Sequence, residues 1–324
     1  MTRVLGRSGI EVSAIGMGCW AIGGPAYRGD TPVGWGKIDD KQSTRAIKAA
    51  LDSGITLFDT ADVYGAGHSE RIVGAALAAK RADVALATKF SNVFDEETKQ
   101  ITGSDASPDY IRRACEASLK RLGTDYIDLY QFHDGGYPID QAAEVVETLD
   151  RLVDEGKIRS YGWSTDDPER ARTFAAGNHC AAVQFQMNVL ADAPAMVKTC
   201  EELGLAGLNR GPLAMGLLSG KYDSSSELPP DDVRGPNAPG WMKYFVDGRP
   251  SPEFVRRLES IREILGASGR SLVQGALCWL LARSSVTIPI PGFRTAEQVK
   301  ENAGALERGP LSPQEMGQIA ELLR

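Results

Sequence analysis

The sequence predicts an α/β protein, a closed parallel (β/α)8 TIM barrel with an N-terminal β-hairpin and long loops at the C-terminal face. Two observations carry that expectation. Short apolar runs alternate with helix-period segments eight times along 324 residues, and this strand count and length suit a closed barrel better than an open doubly wound sheet. A Pro/Gly-rich stretch, Lys221 to Pro252, interrupts the alternation after the seventh strand, where an active-site loop belongs. Residues 1–324 are read as a single domain.

Taken in order, "VLGRSGIEV" reads as the hairpin, turning at Ser8-Gly9, and "SAIGMGC" as the first buried strand. The segment "DDKQSTRAIKAALDSG" places Ile47, Ala50 and Leu51 at helical spacing and stops at Gly54, before the strand "ITLFDT". The helix "SERIVGAALAAK" leads to the strand "VALATK". A Ser107-Pro108 start and a Gly123 stop bound the next helix, ahead of "YIDLYQFH". "DQAAEVVETLDRLVDEG" precedes the strand "IRSYGWS", "PERARTFAA" precedes "AAVQFQM", and "PAMVKTCEELG" precedes "LAGLNR". Beyond the long loop come the helices "PEFVRRLESIREILGAS" and "LVQGALCWLLARS", the last strand "VTIPIPG", and two further helical segments.

Bulk composition narrows the function classes. With 42% hydrophobic and 24% charged residues the chain is globular rather than disordered or fibrous. A formal net charge of -7 argues against broad binding to nucleic acid or anionic membranes, so any anion site must be built locally. Five scattered cysteines, without paired spacing, favour reduced thiols in a cytoplasm over a disulfide framework or a zinc site. His68 and His179 show no ligand spacing with His133, and no metal is expected. The opening residues lack an apolar signal core, and no window reaches the length of a membrane span.

In a parallel barrel, chemistry sits at the C-terminal ends of the strands. There the second strand offers Asp59, with Tyr64 in its loop, the third Lys89 and the fourth His133. One rim would gather all four.

The motifs "FDTADVYG", "GHSE", "ATKF", "DLYQFH", "GPLAMGLLSGKY" and "IPIPG…QVKEN" follow one another along the chain. In these the sequence resembles the aldo-keto reductase family over nearly its whole length. The resemblance implies a tetrad of Tyr64, Lys89, Asp59 and His133, with Tyr64 as proton donor and acceptor. Physical logic fits those roles: an ammonium near a phenol favours its ionised form. Asp59 would keep Lys89 charged and oriented, and His133 would hydrogen-bond the substrate oxygen. Hydride must come from a cofactor, because no side chain can supply one.

By the same resemblance, Cys19 and Trp20 lie near the nicotinamide, and Ser164 and Gln184 match positions that hold its amide. Gly211, Pro212, Leu213 and Ala214, with Lys221 and Arg234, match the pyrophosphate cradle and its covering loop. Gly292, Arg294, Gln298, Glu301 and Asn302 match the adenosine end. Arg294, beside a helix start, suits a 2'-phosphate and favours NADP(H) over NAD(H). Two positions depart from the family's pattern. Thr165 follows the fifth-strand serine where Asn or Arg is usual, and Arg210 stands where an aromatic usually stacks on the nicotinamide.

"GMGCWA", Gly16 to Ala21, also fits the spacing of a dinucleotide fingerprint. That motif needs a helix to begin at once, whereas "IGGPAYRGDTPVGWG" continues with Gly and Pro. Trp35, Trp241 and Tyr244 are candidate walls of a substrate pocket.

The leading expectation is reduction of an aldehyde or ketone by NADPH, the partner being a small-molecule carbonyl. Oxidation of a sugar or polyol would use the same tetrad in reverse. Similarity to potassium-channel beta subunits allows a cofactor-binding regulatory protein. A cofactor-free barrel hydrolase or isomerase would leave Lys89 and "QVKEN" without a purpose.

Overall fold

A computed structural model describes residues 1–324. Eight parallel strands form the barrel: β1 (Met17–Gly18), β2 (Leu57–Asp59), β3 (Ala85–Phe90), β4 (Leu129–Phe132), β5 (Tyr161–Ser164), β6 (Cys180–Gln186), β7 (Ala206–Arg210) and β8 (Thr287–Pro289). Each pairs with its chain neighbour. The ring closes where Gly16 and Gly18 donate to the carbonyls of Pro289 and Pro291, at 2.9 and 3.0 Å. A Cβ on Gly18 would lie 2.7 Å from the Ile290 carbonyl oxygen, so a side chain there would push the first and last strands apart. The fingerprint-like glycines thus serve closure. Only a short 3-10 turn, Trp20–Ile22, follows them.

Ten helices surround the sheet: α1 (Asp40–Asp52), α2 (His68–Leu77), α3 (Pro108–Leu122), α4 (Ala142–Asp154), α5 (Pro168–Ala175), α6 (Pro194–Leu203), α7 (Pro252–Gly266), α8 (Leu272–Arg283), α9 (Ala296–Arg308) and α10 (Pro313–Leu322). Their starts follow from local chemistry. Asp39 accepts the N–H groups of Lys41 and Gln42, and Ser271, Thr295 and Ser312 each form a reciprocal capping box with the residue three positions on. No single helix is long and apolar enough to cross a membrane.

The N-terminal hairpin, Thr2–Val4 against Glu11–Ser13, turns through a 3-10 stretch at Gly6–Ser8 with Gly9 left-handed, slightly earlier than expected. It plugs the barrel floor. Leu5 and Val12 pack with Leu57, Ala85, Ala87, Leu129, Ala182, Leu208 and Ile288, which point inward at alternate positions of their strands. Continuing the same alternation upward replaces these apolar residues with Asp59, Lys89, Gln131 and Gln184, all buried. The barrel therefore has an apolar floor and a polar upper layer.

The loops hold more structure than their composition suggests. Short hairpins form at Tyr27–Arg28/Thr31–Pro32, Asn92–Phe94/Ile101–Ser104 and Phe245–Val246/Arg249–Pro250. The stretch from Lys221 to Pro252, expected to lack structure, buries Val233, Met242, Tyr244 and Phe245 and bridges Asp232 to Trp35 in the β1 loop.

Candidate active site

Backbone packing fixes the first strand ends before any side chain acts. Cys19 donates its N–H to the Asp59 carbonyl at 2.8 Å, and Ser69 Oγ donates to the Cys19 carbonyl while accepting from Thr60 Oγ1, each at 2.8 Å. The Thr and Ser of the "FDTADVYG" and "GHSE" motifs thus tie the β1 end to the β2 loop. Gly65, with φ of +59°, lies against Gly23, and a Cβ on it would stand 1.8 Å from the Gly23 carbonyl oxygen. This glycine-to-glycine contact places Tyr64 over the barrel mouth.

Lys89 is wholly buried on β3. Its ammonium donates to Asp59 Oδ2 at 2.6 Å, to the Thr60 carbonyl at 2.7 Å and to the Tyr64 hydroxyl at 3.3 Å. An ammonium has three N–H donors, and each has a partner here. Burial works against the Lys89 charge, but Asp59 and Tyr64 outweigh it and raise its pKa. Tyr64 departs from the sequence expectation. Burial pushes its pKa up, and the nearby Lys89 charge only partly offsets that. The phenol therefore holds its proton at neutral pH. His133 lies edge-on to Tyr64, ring centres 6.0 Å apart. Burial, with the Lys89 and Arg210 charges, holds its pKa well below the usual range, so the imidazole is neutral.

Tyr64 and His133 open into a cavity of about 460 Å³, lined also by Trp20, Ser164, Gln184, Arg210, Gly211, Trp241 and Tyr244. Trp20 stacks on Tyr64 at 5.9 Å and meets Trp35 and Trp241 at 5.3 and 6.1 Å. Trp241 and Tyr244 are thus cavity walls, while Trp35 supports Trp20 from behind. Cys19 is buried, and burial and Asp59 raise its thiol pKa. It is inert as a nucleophile at neutral pH.

Ser164 and Gln184 sit side by side in register on β5 and β6. Gln184 Nε2 donates to Asp59 Oδ1 at 2.9 Å and to Gln131 Oε1 at 3.1 Å. Its own Oε1, like the Ser164 hydroxyl, makes no hydrogen bond within the protein while facing the cavity. A free acceptor beside a free hydroxyl matches a primary carboxamide, which offers both a donor and an acceptor. The donor set therefore fits a nicotinamide.

The remaining positions of the expected cofactor site separate into shaping groups and engaged cations. Pro212 and Leu213 lead from Gly211 into three successive left-handed residues, Ala214, Met215 and Gly216. Gln298 Oε1 accepts the Arg294 N–H at 2.7 Å and caps α9, the Glu301 carbonyl accepts from Gln274, and buried Asn302 donates to the Gly292 carbonyl at 3.5 Å. These residues shape the turn after β8. Among the cations, Lys221 is exposed, its ammonium 4.7 Å from the Tyr222 ring centre. Arg234 is buried and paired with both Asp232 oxygens, the Tyr222 hydroxyl and the Met215 carbonyl. Arg294 donates to the Trp35 carbonyl, while its buried Nε has no partner. Arg210 pairs with Asp166 and donates to Gln186 Oε1 at 3.3 Å. Thr165 is buried and reaches the Gly135 carbonyl rather than the cavity.

Sequence reasoning passed over Gln131 and Asp166, and over Gln186 and Asn188 around the candidate wall Tyr244. There both amides donate to the Tyr244 hydroxyl at 2.8 Å and tie the long loop to the barrel. A signal existed for Gln131: it is a polar residue in an apolar strand, two positions before His133.

The family model described as "Aldo/keto reductase family" matches residues 14–324, and the chain belongs to that family of oxidoreductases. It is 36% identical to "Aldo-keto reductase YhdN" of Bacillus subtilis (strain 168) over 303 residues, 90% of this chain and 85% of that protein. It is 32% identical to "Aldo-keto reductase yakc [NADP(+)]" of Schizosaccharomyces pombe over 318 residues, 94% of this chain and 86% of that protein. Among solved structures, the glycerol dehydrogenase of Gluconobacter oxydans superimposes with a TM-score of 0.81 at 32% identity, covering 97% of this chain and 92% of its own.

Proposed function

We propose that the protein is an NADP-dependent carbonyl reductase, working as one domain over residues 1–324, in which Tyr64 delivers the proton. The observation that carries this reading is the buried Lys89 ammonium, which touches Asp59 and the Tyr64 hydroxyl at the floor of a cavity shared with neutral His133. The free Ser164 and Gln184 groups support a nicotinamide, and the NADP(+) in the fission yeast relative's name supports NADP(H).

A nicotinamide held there would supply the hydride. Ser164 and Gln184 would hold its amide and Lys221 and Arg294 would meet phosphate groups, while Arg234 keeps the covering loop folded through Asp232. The substrate oxygen sits between the Tyr64 hydroxyl and the His133 imidazole, which polarise the carbonyl by hydrogen bonding. As charge builds on that oxygen, Tyr64 transfers its proton, and Lys89 stabilises the phenolate left behind. Trp20, Trp35 and Trp241 screen the site from water.

Oxidation of an alcohol by the same groups in reverse is a second reading, favoured by the glycerol dehydrogenase likeness. Titrating the purified protein with NADPH and NADH, following tryptophan quenching, tests the cofactor. NADPH is expected to quench selectively, and Arg294→Ala to weaken NADPH but not NADH. Aldehyde and ketone turnover should then be lost in Tyr64→Phe. Absence of quenching by either nucleotide would overturn the reading.

A further inference from the structure

Within the site as read above, four strand-end residues do not account for the Asp59 carboxylate. Lys89 takes Oδ2 at 2.6 Å. Oδ1 receives N–H groups from Gln131 at 2.8 Å and Gln184 at 2.9 Å, while Gln184 also donates to Gln131 Oε1 at 3.1 Å. A carboxylate can only accept, so both amides must turn their nitrogens toward Asp59. The ring of contacts closes with each member oriented. Gln131 has no exposure and lies on β4, below His133 on the same face of the strand. A buried amide is costly unless its hydrogen bonds are met, and this one donates to the tetrad's own carboxylate and accepts from Gln184.

We propose that Gln131 is a positioning residue for Tyr64. By donating to Asp59 Oδ1 it holds the carboxylate with only Oδ2 toward Lys89, and the third N–H of Lys89 stays on the Tyr64 hydroxyl. That third contact is the longest of the Lys89 set, 3.3 Å against 2.6 and 2.7 Å. A carboxylate freed to offer both oxygens to Lys89 would take that hydrogen first. Gln184 makes the same contact with Asp59 but also faces the cavity, whereas Gln131 touches no part of it and acts through Asp59 and through Gln184, whose amide N–H it accepts.

Two substitutions test this. Gln131→Met keeps length without a donor, and Gln131→Glu keeps shape but donates only when protonated. Ionisation of Tyr64 is followed by near-ultraviolet phenolate absorbance, as the difference between each protein and the same protein carrying Tyr64→Phe. In Gln131→Met, Tyr64 should titrate about one unit higher, roughly tenfold less phenolate at a given pH. The pH profile of alcohol oxidation should move equally. Carbonyl reduction by Gln131→Glu should recover as pH falls and the new carboxyl regains its proton. Wild-type titration of Tyr64 in Gln131→Met, or turnover lost only in step with melting temperature, would reduce Gln131 to packing. If Gln131→Met does not fold, the Glu variant decides, since a wild-type pH profile there overturns the proposal. The phenol titration needs neither cofactor nor substrate, so it stays readable if the reductase reading fails. Wild-type NADPH binding reports that failure separately.

Discussion

The β2–β4 side of the barrel mouth and the β7–β8 side are built on different terms. On the first, the donors are already aimed at the chemistry: Lys89 at Asp59 and Tyr64, with Gln131 beneath. On the second, Arg210, Arg234 and Arg294 are all engaged by the protein, through Asp166, Asp232 and the Trp35 carbonyl. In a chain of net charge -7, cations held this way keep an anion site in place without a standing excess of positive charge. The difference teaches that the Lys89 cluster is preorganised by burial, whereas a phosphate bound on the far side, as proposed above, would require an exchange of partners.

The comparison breaks most visibly at Lys89. Lys89→Met should lower carbonyl turnover by about 10²–10⁴-fold, the range of acid–base catalysis. It should also cost about 3–5 kcal/mol of stability, because it strands a buried carboxylate. Denaturant unfolding and steady-state kinetics read the two effects. Turnover retained within tenfold would mean that Tyr64 does not depend on Lys89.

Next in size is the pH response. Burial raises the Tyr64 pKa, with Lys89 opposing, so the protonated phenol needed for reduction persists through neutral pH and is lost only as pH climbs through that raised value. Oxidation needs the phenolate, so its rate should climb as pH rises through the same value. Profiles of the two directions should cross. Parallel profiles would remove Tyr64 from the proton transfer.

On the other side, Arg234→Ala should leave the tetrad untouched but free the covering loop, because Arg234 joins Asp232, Tyr222 and Met215. A loss of about 1–3 kcal/mol follows from a stranded buried partner. Proteolysis within residues 221–252 should accelerate, and accelerated cleavage elsewhere would count against the loop's dependence on this arginine.

This contrast also explains what could be read from the sequence. That Asp59, Tyr64, Lys89 and His133 would meet at one rim was legible from parallel topology together with the family's motifs. Closure at Gly18 against Ile290, or Gly65 against Gly23, is a close approach between distant segments that composition does not reveal. The counter-charges were hidden for a related reason. Nothing local to Arg210 points to Asp166, 44 positions earlier, and the stretch from Lys221 to Pro252 reads as plain loop until Asp232 bridges to Trp35 and Tyr244 meets Gln186 and Asn188; only Arg234 has its counter-charge, Asp232, close by in sequence. The sign of the Tyr64 shift was missed because the Lys89 partnership is apparent in the motifs, whereas the degree of burial depends on how Trp20 covers the ring.

The smallest expected effect would sharpen the comparison. The pair Arg210 and Asp166 is partly exposed, with side-chain exposures of 36% and 55%, so its own contribution to stability is about 0–1 kcal/mol. Its influence should appear instead in the balance between cofactor redox forms. The Arg210 charge acts on both Tyr64 and His133, lowering the pKa of each, and so projects into the cavity. Asp166→Asn leaves that charge uncompensated. The oxidised nicotinamide ring is cationic, so NADP+ should bind up to about fivefold more weakly relative to NADPH, with the difference fading as salt is raised. Arg210→Ala should move the ratio the other way. If both variants leave the ratio of dissociation constants unchanged at low salt, Arg210 does not face the nicotinamide, and the aromatic it replaces has no electrostatic successor.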